Sequence, residues 1–171
     1  MSTATRERSA LHVLGSLVSS HSSVQDIPHE LWGDVVDLAL AHGLGPMLLW
    51  TARQAGVDPH DHPALAPLVE ATHQTAMASV LLERAQRDVN AALRAAGIPA
   101  LWLKGAALAH TVYPEPALRP MADLDVLVPY EQRERALAIV QGLGYDFYSL
   151  HGIRTRSTGD DLALKLSAHH Y

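Results

Sequence analysis

Cysteine is absent from this chain of 171 residues. Its absence excludes disulfides, Cys-ligated zinc, iron–sulfur clusters and thiol catalysis, and it fits a reducing compartment. No apolar run approaches the roughly 20 residues that a membrane-spanning helix needs. The N-terminal residues mix charges and lack the apolar segment of a signal peptide. We therefore expect a cytoplasmic protein without a membrane partner.

An excess of positive charge is also missing, since the formal net charge is −5. A dedicated nucleic-acid binder that neutralises phosphates is therefore not expected. Hydrophobic residues make up 48% of the chain and charged residues 18%, which is enough apolar material for a globular core. The 11 histidines, including the pairs His60/His62 and His169/His170, lack helical metal-ligand spacing. We expect them to be solvated or singly hydrogen-bonded.

The chain changes character after its first two-fifths. Apolar residues recur at helical spacing in the segments 2–19, 26–43, 46–55, 68–96, 105–112 and 131–143. Asp26 is the expected cap of the second helix. Short apolar runs predict strands at 98–103, 124–128, 145–150 and 162–167. The prediction is an α+β fold with an N-terminal helical region at 1–67. A core of a small mixed sheet with flanking helices would follow at 68–171.

The segment 121–128, Met-Ala-Asp-Leu-Asp-Val-Leu-Val, carries the main candidate for chemistry. Alternate residues of a strand share a face, so Asp123 and Asp125 would project together, about 6.6 Å apart at ~3.3 Å per residue. Leu124, Val126 and Val128 would face the core. Two carboxylates so placed can reach one Mg²⁺ or the metal pair of a phosphoryl-transfer site. The simpler interpretation is a strand end whose aspartates are solvated or cap the next element.

A strand runs directly into a helix through Lys104 and Gly105. The N-terminus of a helix offers backbone N–H groups and a partial positive charge, and glycine permits close backbone approach. Lys104 adds a mobile cation, so the junction suits a triphosphate beside the metal. An ordinary strand-to-helix turn with an exposed lysine is the commoner origin of such a pair.

The loop 113–120 is shaped by its prolines and carries Arg119 four residues before Asp123. Arg119 could hold a phosphate oxygen or support a metal-binding carboxylate through a bidentate pair. An exposed arginine on a turn explains the same pattern equally well.

These motifs occur in an order that is itself informative. Leu-Lys-Gly-x-x-Leu-Ala is followed by Tyr-Pro-x-Pro-x-Leu-Arg-Pro, by Asp-Leu-Asp-Val-Leu-Val-Pro, and by an Ala-rich helix ending in Leu-Gly-Tyr. Over residues 101–145 the chain resembles the uncharacterised bacterial nucleotidyltransferase family of the polymerase-β-like superfamily. The segment 42–46, His-Gly-Leu-Gly-Pro, resembles the family's upstream part.

The resemblance implies transfer of an NMP from an NTP to an acceptor, with release of pyrophosphate. Asp123 and Asp125 would be catalytic and would bind Mg²⁺, with Mn²⁺ as a substitute. Lys104 and Gly105 would replace the superfamily's Gly-Ser phosphate-binding turn, with Arg119 as a further nucleotide contact. The acceptor would be a small molecule, a peptide or a protein.

Two departures from the superfamily pattern bear on activity. The superfamily usually has a third carboxylate on a later strand, whereas the last predicted strand presents Lys165 and Ser167. Asp146, Asp160 and Asp161 could replace it, and Asp161 is preferred because it adjoins the strand. We also expect the chain to lack the C-terminal helical half of its relatives.

Two other functions stay open. One is a non-catalytic module that keeps the fold and binds a nucleotide or a protein partner. The other is protein docking by the helical region 1–67.

Overall fold

The computed structural model describes residues 3–18, 23–145 and 164–167. The helices are α1 (Thr3–Val18), α2 (Trp32–Ala41), α3 (Gly45–Gln54), α4 (Ala66–Ala95), α5 (Lys104–Thr111) and α6 (Arg133–Gly142). The strands are β1 (Leu101–Leu103), β2 (Asp123–Leu127) and β3 (Leu164–Ser167). The predicted α+β class is confirmed. The strand predicted at 145–150 falls, beyond Tyr145, outside the described residues, as do His169 and His170.

By contacts the chain divides into two compact units. The first contains residues 1–79 and 113–120, and the second contains 80–112 and 121–171. The division therefore falls within α4, whose 30 residues belong partly to each unit. The domain boundary predicted at residue 67 stays a prediction. None of the helices in the described ranges combines the length and apolarity needed to cross a membrane.

The entry to α2 differs from the sequence prediction. Asp26 was expected to cap this helix, but its carboxylate accepts a hydrogen bond from the backbone N–H of Ser23 at 2.9 Å. Ser23 Oγ in turn accepts from the N–H of Gln25, and the segment forms a 3₁₀ turn, Val24–Asp26. Because this reciprocal cap engages Asp26 locally, α2 begins only at Trp32. The predicted cap is wrong.

The first unit is built on helices around one apolar cluster. α1, α2 and α3 turn their apolar stripes inward, as helical periodicity predicts. Leu49, Leu65 and Leu68 are among its fully buried side chains. Arg6 of α1 donates to Asp34 of α2 at 3.0 Å on the surface of this unit.

The second unit contains the sheet, in the order β1-β2-β3. Both pairings of the described strands are antiparallel. One face of the sheet packs on α4, α5 and α6. The buried residues of this core are Leu82, Ala85, Val89, Leu93, Ile98, Ala106, Leu124, Val126, Ala136 and Val140. Partial burial raises the pKa of Tyr145, which packs against the same cluster; nearby Asp88 adds to the shift and Arg84 opposes it.

Candidate active site

Asp123 and Asp125 lie on β2 at alternate positions. The intervening Leu124 and the following Val126 are 1% and 4% exposed and belong to the core, as alternation predicts. Asp125 is itself buried at 8% exposure, which is unusual for a carboxylate. Removing a charged group from water is unfavourable unless a partner compensates it. The environment of Asp125 must therefore supply positive charge.

Lys104 supplies that charge. Its Nζ lies 2.9 Å from Oδ2 of Asp125. The β1–β2 register pairs Leu103 with Asp125, so Lys104 follows directly after the residue opposite the carboxylate. The lysine side chain is 75% exposed, whereas that of Asp125 is 10% exposed. In this ion pair the carboxylate of Asp125 is buried, whereas the side chain of Lys104 is accessible to solvent.

The backbone of Lys104 adopts a left-handed conformation, with φ of +48°. Among the described residues it is the one non-glycine residue with positive φ. Left-handed φ brings Cβ close to the backbone and costs a non-glycine residue about 1–2 kcal/mol. Such strain is often found at functional sites, where the surrounding structure enforces it. At Lys104 it forms the junction between β1 and α5.

A pair of substitutions separates this strain from the loss of charge. Lys104→Met and Lys104→Gly both remove the ion pair, but only glycine relieves the left-handed backbone. We expect Lys104→Gly to be more stable than Lys104→Met by about 1 kcal/mol. Urea unfolding measures this difference in the free energy of unfolding when both variants depend equally on the urea concentration. At Arg87, exposed in the middle of α4, the same two substitutions should give the opposite order, with glycine worse by about 1 kcal/mol. Equal stabilities at position 104 would show that its backbone is not strained.

Gly105, the second residue of α5, packs against Met121. A Cβ built on Gly105 would lie 2.7 Å from Sδ and 2.8 Å from Cγ of Met121. Met121 directly precedes the Ala122–Asp123 step into β2. The missing side chain therefore lets α5 approach the start of the strand that carries the aspartates.

We expect Gly105→Ala to destabilise the protein by about 1–3 kcal/mol, because the new methyl group overpacks this contact. In a Met121→Ala background the cost should largely disappear, and a double-mutant cycle by urea unfolding measures that coupling. Gly142→Ala in α6 is the control, since an added Cβ there meets nothing within 4 Å. That variant should stabilise by about 0.5–1 kcal/mol. A Gly105→Ala penalty that is unchanged without Met121 would refute the packing explanation.

β3 pairs with β2 on the side away from β1 and is the second strand beside the aspartates. Its register places Ser167 opposite Asp123 and Lys165 opposite Asp125. The described strand that neighbours the aspartates therefore has no acid at either opposing position. Asp161, predicted as the third carboxylate, lies outside the described residues, as do Asp146 and Asp160.

Arg119 belongs to the first unit. Its Nη1 donates to the hydroxyl of Tyr113 at 3.4 Å, and its guanidinium carbon lies 5.7 Å from the centre of the Tyr113 ring. Its Nε is buried and has no hydrogen-bond partner within the described ranges. The loop 113–120 thus holds Arg119 through an aromatic side chain of the same loop. Its predicted role toward phosphate stays a prediction.

Sequence reasoning missed a groove of about 750 Å³ that Lys104 and Asp125 help to line. Leu101 of β1 and Leu127 of β2 are register partners and form its exposed apolar wall. At another part of its lining, the guanidinium of Arg133 lies 3.9 Å from the centre of the Tyr130 ring. The available signal was strand alternation, since Leu127 shares the parity of Asp123 and Asp125 and therefore their face.

The donor set at the aspartates suits a hard cation. Mg²⁺ takes oxygen ligands and is often held by one or two carboxylates together with substrate phosphates. Asp123 and Asp125 provide two carboxylates on one face, and Asp125 already lies against a cation. Within the described residues no group of three or more His, Asp or Glu side chains could enclose a metal ion. The two carboxylates alone would need further ligands from a substrate and water to complete the coordination of a Mg²⁺.

Comparison with known proteins agrees with this geometry. Residues 28–170 match the family described as uncharacterised nucleotidyltransferase. The chain belongs to this family. No curated protein and no solved structure matches it significantly. The family predicted from the motifs at 101–145 is thus confirmed, and the match also includes α2 and α3 of the first unit. Membership indicates nucleotidyl transfer in general and a nucleotide as substrate.

Proposed function

We propose that this chain is a Mg²⁺-dependent nucleotidyltransferase that moves an NMP from an NTP to an acceptor and releases pyrophosphate. The observation that carries the proposal is the pair of aspartates on β2, joined by the Lys104–Asp125 contact of 2.9 Å to the start of α5. Family membership supports the reaction class. The arrangement supports the assignment of residues to roles.

Phosphate binding is assigned to the start of α5. The first turn of a helix has backbone N–H groups without intrahelical acceptors and a partial positive charge. Leu103, which precedes the helix, has no side-chain acceptor to cap them. Lys104 adds a charge-assisted donor for a phosphate oxygen.

Asp123 and Asp125 would hold the Mg²⁺, which supplies neutralisation of charge on the transferring phosphoryl group. The acceptor oxygen forms a bond to the α-phosphorus while the bond from that phosphorus to the bridging oxygen breaks. The electron pair leaves with pyrophosphate. The acceptor proton passes to a carboxylate, for which Asp161 is our proposal.

The groove beside Asp125 favours a small acceptor, or a short segment of a peptide or protein. Its volume of about 750 Å³ is within the range of small-molecule sites. Its wall of Leu101 and Leu127 suits an apolar body, and Tyr130 with Arg133 adds an aromatic and a charged contact. The net charge of −5 gives no support for a polynucleotide acceptor.

The test uses each NTP labelled at the α- or the γ-phosphorus, with Mg²⁺ and an extract containing small molecules and proteins. Label from the α-position should enter an acceptor, and label from the γ-position should appear as pyrophosphate. The Asp123→Ala/Asp125→Ala double variant should do neither. If the wild-type chain releases no pyrophosphate and binds no NTP, the proposed function is wrong.

A non-catalytic nucleotide-binding or partner-binding module is the second candidate. The observation that favours it is the opposition of Ser167 and Lys165, rather than an acid, to the aspartates. Such a module should be stabilised by an NTP without releasing pyrophosphate. At a concentration of about 100 times Kd the stabilisation should reach about 2.7 kcal/mol.

A further inference from the structure

We propose that Lys104 is an exchangeable partner of Asp125: it competes with a divalent metal for this carboxylate and moves to the triphosphate when metal and nucleotide bind together. The inference rests on the proposed function and deepens it, because it assigns Lys104 opposite effects on two binding steps. It involves β1, β2 and α5 of the second unit only.

Asp125 and Lys104 are unequally exposed to solvent. The carboxylate of Asp125 is held on β2 at 10% exposure, whereas the Lys104 side chain is 75% exposed. A lysine stem has several rotatable bonds, and most of this one lies in solvent. The ammonium group can therefore leave the carboxylate without disturbing the core. Asp125 has no comparable freedom, because Leu124 and Val126 on both sides are buried.

Charge repulsion opposes the presence of a metal ion and the lysine ammonium group at the same carboxylate. A Mg²⁺ or Mn²⁺ ion binds a carboxylate oxygen at about 2.1 Å. If the metal binds Oδ2, the oxygen that lies 2.9 Å from Nζ, the metal and the ammonium group are at most about 5 Å apart. A divalent and a monovalent cation repel each other strongly at that separation in a partly buried site. Metal binding at Asp125 therefore favours departure of the lysine.

Lys104 is the first residue of α5. A triphosphate at this helix end brings several negative charges to the residue that has just lost its partner. The ammonium then exchanges one anion for another. Lys104 thus weakens binding of the metal alone and strengthens binding of the metal together with the nucleotide.

The left-handed backbone of Lys104 supports a functional role for its side chain. Glycine would adopt the φ of +48° at position 104 without strain, whereas lysine does so at a cost. Asp125 benefits from the ammonium, but the mostly exposed lysine does not need the aspartate for its own solvation. A side chain kept at an unfavourable backbone position, and left mostly in solvent, is suited to a partner that arrives from solvent.

The experiment measures Mn²⁺ binding by electron paramagnetic resonance of the free ion, with no turnover involved. Lys104→Met removes the charge at similar length, and Lys104→Arg retains it. Without nucleotide, Lys104→Met should bind Mn²⁺ about fivefold more tightly than the wild type. With Mn²⁺ saturating, its affinity for α,β-methylene NTPs should fall about tenfold. Lys104→Arg should resemble the wild type in both directions. Arg135→Met, which removes an exposed charge from α6, is the control and should change neither affinity appreciably.

The possible results distinguish failure of the Lys104 exchange from failure of the proposed nucleotidyltransferase function. Equal Mn²⁺ affinities in folded wild type and Lys104→Met would overturn the competition. A tighter metal site with unchanged nucleotide affinity would overturn the transfer of Lys104 to phosphate, while nucleotide binding itself would still support the proposed function. Absence of Mn²⁺ binding by both proteins would overturn the inference and the metal assignment. Thermal unfolding of each variant checks that it is folded.

Discussion

Replacing Asp125 with asparagine should reduce nucleotidyl transfer by about 10³-fold or more. The substitution keeps the shape of the side chain but removes its charge, so the proposed Mg²⁺ site would lose an anionic ligand and Lys104 would lose its partner at 2.9 Å. Removal of a single electrostatic contact in an active site typically costs about 10²–10³ in rate. A metal ligand should lie at or above the upper end of that range. Asp123→Asn should have an effect of similar size.

The measurement is transfer of α-³²P label to an acceptor at saturating Mg²⁺, with unfolding in urea as a check of stability. Asp88→Asn is the matched control, because Asp88 is an exposed carboxylate on α4 of the same unit. That variant should retain the wild-type rate. Retention of activity within tenfold by a folded Asp125→Asn protein would exclude the assigned role. If Asp125→Asn loses activity because it unfolds, Asp125→Glu is the second test variant. It keeps the charge and should keep metal binding.

Two leucines of β2 should respond very differently to the same truncation. Leu124→Ala should destabilise the protein by about 2–5 kcal/mol, because Leu124 is 1% exposed and its loss leaves a cavity in the second core. Leu127→Ala should cost less than about 1 kcal/mol, because Leu127 is 48% exposed. The two residues are three positions apart and lie on opposite faces of the strand.

Urea unfolding measures the free energy of unfolding of both variants. Thermal stabilisation by a nucleotide or an acceptor compares how well the two variants bind a ligand. Leu127 lines the groove beside Asp125, so its truncation should weaken binding of an apolar ligand while the fold is retained. Leu124→Ala should affect binding only through stability. Equal unfolding free energies for the two variants would contradict the assigned faces of β2 and, with them, the common face of the aspartates.

Local sequence patterns account for most of the elements and for part of the site. Helical spacing located α1, α3, α4, α5 and α6 to within about two residues. Helix α2 was mispredicted at its start, because the local cap between Ser23 and Asp26 competes with helix initiation. The period of two along 123–127 correctly assigned Leu124 and Val126 to the core. The order of motifs over 101–145 identified the family.

Period and motif order are local properties, so the sequence alone was enough to establish the α+β class, the family and the common face of Asp123 and Asp125. Three features depended on the tertiary structure. The antiparallel register of β1 on β2 brings Lys104 to Asp125, the packing of Met121 explains the glycine at 105, and β3 places Ser167 and Lys165 opposite the aspartates. Each joins segments far apart in sequence. Strand pairing and close packing select such partners through the whole core, which no local pattern encodes.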